Sequence, residues 1–269
     1  MSEIKEPLSG RLALLEEFRQ SSEDATTELD MALLVANVID ENLDAGKARD
    51  GIQRLLDQAE SQGVTDVEGL LAFLRGQGFA QSSLDGVDLT HSSIDWLLQQ
   101  HQGLPIVVAV LIITLAHGLG LEAYGVNYPG HFLLRAQGDL VDPLSLAVVE
   151  PSSLQAPSGY DLDELLVKAK PATLGFRMLN NLKAYYLHLG NWQATLAATD
   201  YQLAIVHHET GLKSLLHFER GEYQQRMGEA EAALASYLLC LELAGDEALV
   251  AQAQERVDEL MVKDDRPLH

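Results

Sequence analysis

The chain has 269 residues, 47% of them apolar, with 18 basic and 40 acidic side chains and a formal net charge of −22. That is ample apolar material for a buried core in one or two domains. An acidic surface of this kind repels phosphate backbones and anionic lipid, which argues against nucleic-acid or membrane-surface binding and favours basic protein partners.

The chain opens Met-Ser-Glu-Ile-Lys-Glu, without the basic region and apolar stretch of a secretory leader, so a cytoplasmic protein is expected. Helical spacing follows in Leu12, Leu14, Leu15 and Phe18, then in Leu29, Ala32, Leu33, Val35, Ala36 and Ile39, then in Ile52, Leu55 and Leu56. Thr65-Asp66-Val67-Glu68 has the form of a capping box and predicts a helix carrying Leu70, Leu71, Phe73 and Leu74, stopped by Gly76 and Gly78. Residues 79–93 are polar and turn-rich and read as a loop. Ile94, Leu97 and Leu98 restart a helix that ends at Gly103.

Leu104 to Ala116 is the most apolar run, and its 13 residues fall short of the roughly 18 that a membrane span needs. It is rich in β-branched residues but too long for an ordinary strand, and Pro105 suits a first helical turn, where its missing N–H costs nothing. A helix apolar on every side is buried, so this one is expected at the centre of its domain. Gly118 and Gly120 stop it; with Gly125 they do not make a dinucleotide-binding loop, because the third glycine is misplaced and Pro129-Gly130 breaks any helix that should follow. Glu122 to Asn127 and His131 to Arg135 are strand-like, Gln137-Gly138-Asp139 is a turn, and Leu140 to Pro143 is a second arm. Together these predict a β-hairpin. Pro151 to Gly159 reads as a connector, which divides the chain into residues 1–158 and 159–269.

Beyond the connector the chain is helical again. Gly190, Ala194, Leu196 and Ala197 match Gly228, Ala232, Leu234 and Ala235, 38 positions on. A small residue at the turn between paired helices, followed by an Ala-rich helix, is the logic of tetratricopeptide stacking, although the ideal period is about 34 residues. His207-His208-Glu209 lacks a second ligand one helical turn on and reads as a polar helix end, so no metal site is expected there, nor a cofactor site elsewhere.

The residues that carry chemistry are Pro129-Gly130-His131-Phe132 and Asp142. With Gln137-Gly138 as the two loop residues, Ala136 opposes Asp139 and Leu133 opposes Asp142, which sets His131 diagonal to Asp142 on one face; a register shifted by two sets them directly opposite, and either brings the side chains close. A carboxylate beside an imidazole is the base–orienter half of a nucleophilic triad; it is equally a pair that serves stability alone. A triad also needs a nucleophile, typically at the N-terminus of a buried helix, where the dipole favours a thiolate. Here Gly103-Leu104-Pro105-Ile106-Val107 offers neither thiol nor hydroxyl. Cys240, the single cysteine, stands among Leu238, Leu239 and Leu241 and reads as an inert core thiol, while Thr90, Ser92 and Ser93 read as caps of a different helix.

Ile94 to Ile106, Gly118-Leu-Gly120-Leu, Gly125 to Arg135 and Val141-Asp142-Pro143 resemble the core of the SirB family, and Arg177 to Lys183 with the repeats after it resemble that family's C-terminal part. Its members join a transglutaminase-like domain to tetratricopeptide repeats and carry the label of regulators of invasion-gene expression. The resemblance implies a papain-like, transglutaminase-like α+β fold, mostly helical, with a central helix on a small antiparallel sheet and an all-α repeat region after it. It sets His131 and Asp142 at the triad positions and the nucleophile near Pro105. Family members carry Ser or Thr two residues further on, where this chain has Val107. The expectation is therefore a catalytically silent transglutaminase-like domain that acts as a protein-binding or regulatory module. The alternative is a hydrolase of amides or esters with His131 as general base on a water, oriented by Asp142.

Overall fold

The computed structural model describes residues 8–21, 26–81, 88–155, 159–206, 209–243 and 245–264. The chain divides into two compact units, residues 23–178 in one and residues 1–22 with 179–269 in the other. The first helix, α1 (Leu8–Gln20), belongs to the second of these.

In the unit of residues 23–178, α2 (Glu28–Ile39), α3 (Ala45–Ser61) and α4 (Val67–Gly76) come first. The cap of α4 differs from the expected box. Asp66, not Thr65, is the N-cap: its carboxylate accepts from the Gly69 amide, and Gly69 has no side chain with which to return the bond. The Val67 amide is taken instead by Gln137 Oε1 at 2.9 Å, a partner seventy residues away. The stretch expected as a loop also holds structure. β1 (Ala80–Gln81) pairs in parallel with β2 (Gln102–Gly103), and a 3-10 turn at Leu89–Ser92 leads into α5 (Ile94–Gln100), capped by Ser93. A two-residue pairing of this kind has no alternation to read; residues 82–87 of the stretch lie outside the described residues.

The apolar run is α6 (Pro105–Gly118), and every residue from Val107 to Ile113 is fully buried. Each such side chain contributes on the order of 1.5–3 kcal/mol by leaving water, so this helix anchors the unit. Thr114, half-buried just after this run, donates its hydroxyl back to the Val110 carbonyl at 2.7 Å. The helix ends at Gly118, and past its Leu119 cap the chain turns at Gly120, whose φ of 74° favours a residue without a Cβ. His117 Nε2 lies 2.7 Å from the Ala123 carbonyl and ties the helix end to the sheet.

That sheet is a four-stranded antiparallel meander of β3 (Ala123–Val126), β4 (Leu133–Ala136), β5 (Asp139–Asp142) and β6 (Ala147–Val148). After it, α7 (Leu162–Leu165) packs Leu162 and Leu165 with Leu166 against Val126, Tyr128, Leu133 and Leu140. The Ala169 amide donates to the Gly125 carbonyl at 2.8 Å. Leu162 to Ala169 are thus held by the sheet, and the boundary between the compact units falls within α8 (Pro171–His188).

The other unit contains α1, the remainder of α8, α9 (Trp192–Ile205), α10 (Thr210–Arg226), α11 (Ala230–Glu242) and α12 (Glu247–Asp264). Phe18 of α1 packs on the ring of Tyr201, and Arg11 pairs with Asp200 at 2.7 Å. Gly190 and Gly228 both take positive φ, 66° and 81°, at the turns before α9 and α11. The 38-residue spacing also preserves burial: Thr195 and Ala233, Ala198 and Ser236, Thr199 and Tyr237, and Gln202 and Cys240 are all buried. Lys183 sits inside this unit with its Nζ 2.9 Å from Gln202 Oε1 and 2.7 Å from Glu219 Oε2. Glu209 is exposed just before α10; His207 and His208 lie outside the described residues.

Candidate functional site

The hairpin β4–β5 has the register of a two-residue turn. Gln137 and Gly138 take φ of 51° and 92°, and Ala136 faces Asp139. His131 is not on the strand itself, as the sequence pattern suggested. It precedes β4 by two residues, in a bend behind Gly130, whose φ of 72° turns the chain there. Continuing the register sets Leu133 across from Asp142, and the bend swings the imidazole onto the same carboxylate.

His131 Nε2 lies 2.9 Å from Asp142 Oδ1. The carboxylate accepts, so Nε2 carries the proton, and in the neutral ring Nδ1 carries the lone pair. Asp142 is itself held. Its Oδ1 also accepts from the Leu144 amide at 2.8 Å, and its Oδ2 from the Ser145 hydroxyl at 2.9 Å. The turn that supplies these donors continues to Leu146, at φ 50°, whose carbonyl accepts from Arg75. The histidine side chain is 35% exposed and the aspartate 15%, so the ring reaches solvent while its orienting carboxylate is largely covered. Such a pair can take a proton at Nδ1 or offer a fixed polar edge to a partner.

At the start of α6, Leu104 is the N-cap and makes no side-chain cap bond; Ile106 and Val107 are buried. The Leu104 amide donates to the His91 carbonyl at 2.9 Å, which brings the Leu89–Ser92 turn against this end of the helix. Thr90 and Ser93 act locally: Ser93 caps α5, and the Thr90 hydroxyl on Asp88 holds that carboxyl below its usual range. Cys240 is fully buried on α11 in the other unit, with the Ser214 hydroxyl 3.3 Å from its sulfur, and burial pushes the thiol up. Among the described residues no group of three His, Cys, Asp or Glu side chains is placed to hold a metal ion, and no helix is long and apolar enough to cross a membrane.

Two further residues shape the site. Ser145 stands three positions after Asp142, a spacing from which a turn hydroxyl reaches back to an Asp, so its role was open to reading from sequence. Arg177 was not: it comes from α8 and bonds Asn127 Oδ1 at 2.8 Å and the Tyr128 carbonyl at 2.9 Å, partners about fifty positions upstream.

Compared with known proteins, residues 33–183 match the family model described as the transglutaminase-like superfamily. The UPF0162 protein of Pseudomonas aeruginosa is 28% identical over 211 residues, which cover 75% of this chain and 77% of that protein. A UPF0162 protein of Xylella fastidiosa is 27% identical over 144 residues, 48% of this chain and 51% of that one. One of Vibrio cholerae is 26% identical over 149 residues, 51% of this chain and 55% of that one, so the matched regions span about half the length of these last two relatives. No solved structure matches the chain.

Proposed function

The chain belongs to the transglutaminase-like superfamily, and from that premise we propose that it is a non-catalytic, protein-binding or regulatory module. It works through the surface around His131 and Asp142 and through its helical unit. The observation that carries this reading is the first turn of α6, Leu104-Pro105-Ile106-Val107, which has no nucleophile to join the oriented His131–Asp142 pair. Cys240, buried in the other unit, does not supply one. The motif residues around His131 support a SirB-type member of the superfamily. The matched glycine turns and matched burial of α9 and α11 support a tetratricopeptide-like role for the helices, as a surface that holds a partner. The net charge of −22 favours a basic protein partner in the cytoplasm and disfavours nucleic acid.

A second reading keeps His131 as general base on a water, with Asp142 orienting it, in a hydrolase of amide or ester bonds. The 2.9 Å bond and the partial exposure of the ring favour it. General-base catalysis is worth roughly 10²–10⁴-fold. Hydrolysis of a panel of fluorogenic esters and amides by the wild type and His131→Ala decides between the two. The module reading expects both proteins at the uncatalysed rate; turnover about a hundredfold above it, lost in the variant, would establish the hydrolase. Cross-linked capture from cell extract, with melting recorded alongside, then compares wild type with the His131→Ala, Asp142→Ala double variant. A partner lost by the double variant at an unchanged melting midpoint assigns binding to the hairpin site. A partner retained assigns it to the helical unit, and no specific capture by the wild type overturns the module reading.

A further inference from the structure

The turn that carries His131 has a firm backbone bond only at its start, where the Tyr128 amide donates to the Val126 carbonyl at 3.0 Å. Between β3 and β4 the chain runs Asn127-Tyr128-Pro129-Gly130-His131-Phe132, and the bond that closes it, from the His131 amide to the Tyr128 carbonyl, is long at 3.4 Å. Pro129 has no N–H to give, and Gly130, in the left-handed region, has no Cβ to restrict its backbone. A turn of this kind does not by itself fix an imidazole to within hydrogen-bonding tolerance of a carboxylate eleven residues away.

One side chain from a distant helix grips it on both sides of the histidine. Arg177 Nη1 donates to Asn127 Oδ1 at 2.8 Å and to the Tyr128 carbonyl at 2.9 Å, four and three residues before His131. The same guanidinium lies over the ring of Phe132, the residue after it, 5.4 Å from the centroid. Phe132 is in turn wedged against Gly125 of β3, where a Cβ would come within 2.6 Å of the ring. The described hydrogen bonds of Arg177 go to neutral acceptors, and its burial pulls its pKa down. Burying a charge costs free energy that neutral acceptors offset only when they are fixed in place, and the planar guanidinium, less strongly hydrated than an ammonium and lying over the Phe132 ring, suits that task better than lysine. Tyr128 supplies the remaining anchor, its hydroxyl donating to the Gln155 carbonyl at 2.5 Å.

We propose that Arg177 is the positioning residue of this site: it braces the Asn127–Phe132 turn and so holds His131 on Asp142. The inference rests on reading His131 and Asp142 as the working pair. It adds that the geometry of the pair is set from α8, by a residue that touches neither member.

The test reads the histidine directly and needs no partner or substrate. In the full-length chain labelled with nitrogen-15 histidine, His131→Gln identifies the His131 resonances. The wild type is expected to show Nε2 protonated, with a slowly exchanging proton bonded to carboxylate. In Arg177→Met that proton is expected to exchange at least about tenfold faster, as the local opening of the turn becomes more frequent. Arg177→Lys and Asn127→Ala, which each leave part of the brace, fall between. If Arg177→Met does not fold, these two variants decide: a several-fold rise in both supports the brace. An unchanged His131 signal in folded Arg177→Met, or in both milder variants, overturns the proposal and leaves the functional reading standing. A wild-type His131 without a protonated Nε2 on carboxylate would remove the pair itself, and both readings with it.

Discussion

Cys240 is fully buried on α11, its sulfur 3.3 Å from the Ser214 hydroxyl, and desolvation raises its pKa. A thiol reacts as its thiolate, so burial and a raised pKa act in the same direction, against reactivity. Labelling with a thiol reagent at pH 8 should therefore be slower than for a free cysteine by at least about a thousandfold, limited by opening of the helices around it. Stoichiometric labelling within the mixing time of the native protein would return Cys240 to the list of candidate nucleophiles. At this scale the sequence was legible where partners are local. Asp142 and the two-residue turn before its strand follow from hairpin spacing, while His131 reaches Asp142 at 2.9 Å from the bend that precedes β4, not from a strand position. Arg177 was not legible, because nothing in its own neighbourhood marks an arginine whose acceptors lie about fifty residues upstream.

At the scale of the element, the hairpin turn is where backbone chemistry has the most leverage. Gly138 takes φ 92° with open space where a Cβ would stand, so Gly138→Ala meets no neighbour and its cost is the backbone conformation alone. That cost is about 1–2 kcal/mol, and the urea midpoint should fall accordingly with an unchanged slope. An unchanged midpoint would mean that the turn relaxes to another type without loss. The neighbouring Gln137 also takes positive φ, yet its side chain caps α4 through the Val67 amide, which ties the hairpin tip to a helix formed much earlier in the chain. Elements with a strong internal pattern were read correctly for the same reason that they are stable. The apolar run of α6 is rich in β-branched residues, but its length favours a buried helix over a strand, and burial of Val107 to Ile113 bears that out. The parallel pair β1–β2 is two residues long, and the Asp66 cap is a single bond from the Gly69 amide; neither leaves a period to read.

For the whole molecule, the division into units makes a claim about cooperativity that two glycines can test. Gly221 of α10 lies where a Cβ would come within 2.5 Å of the Tyr237 ring, and that ring is held by its hydroxyl, 2.7 Å from Glu222 Oε1 and 2.9 Å from Gln225 Oε1. The ring cannot swing aside without giving up those bonds, so Gly221→Ala should cost about 1–3 kcal/mol through overpacking. Gly125→Ala in β3 drives a methyl into Phe132 and should cost a similar amount, on the order of 1–3 kcal/mol, in the unit that holds His131. Amide hydrogen exchange on the full chain separates two outcomes. If the units open separately, Gly221→Ala accelerates exchange in α9 to α12 and leaves β3 to β5 at wild-type protection, while Gly125→Ala does the reverse. This is the expected result, because the rings that the two methyls meet, Tyr237 and Phe132, lie in different units. Equal acceleration of both sets by either variant would show that the chain opens as one cooperative body.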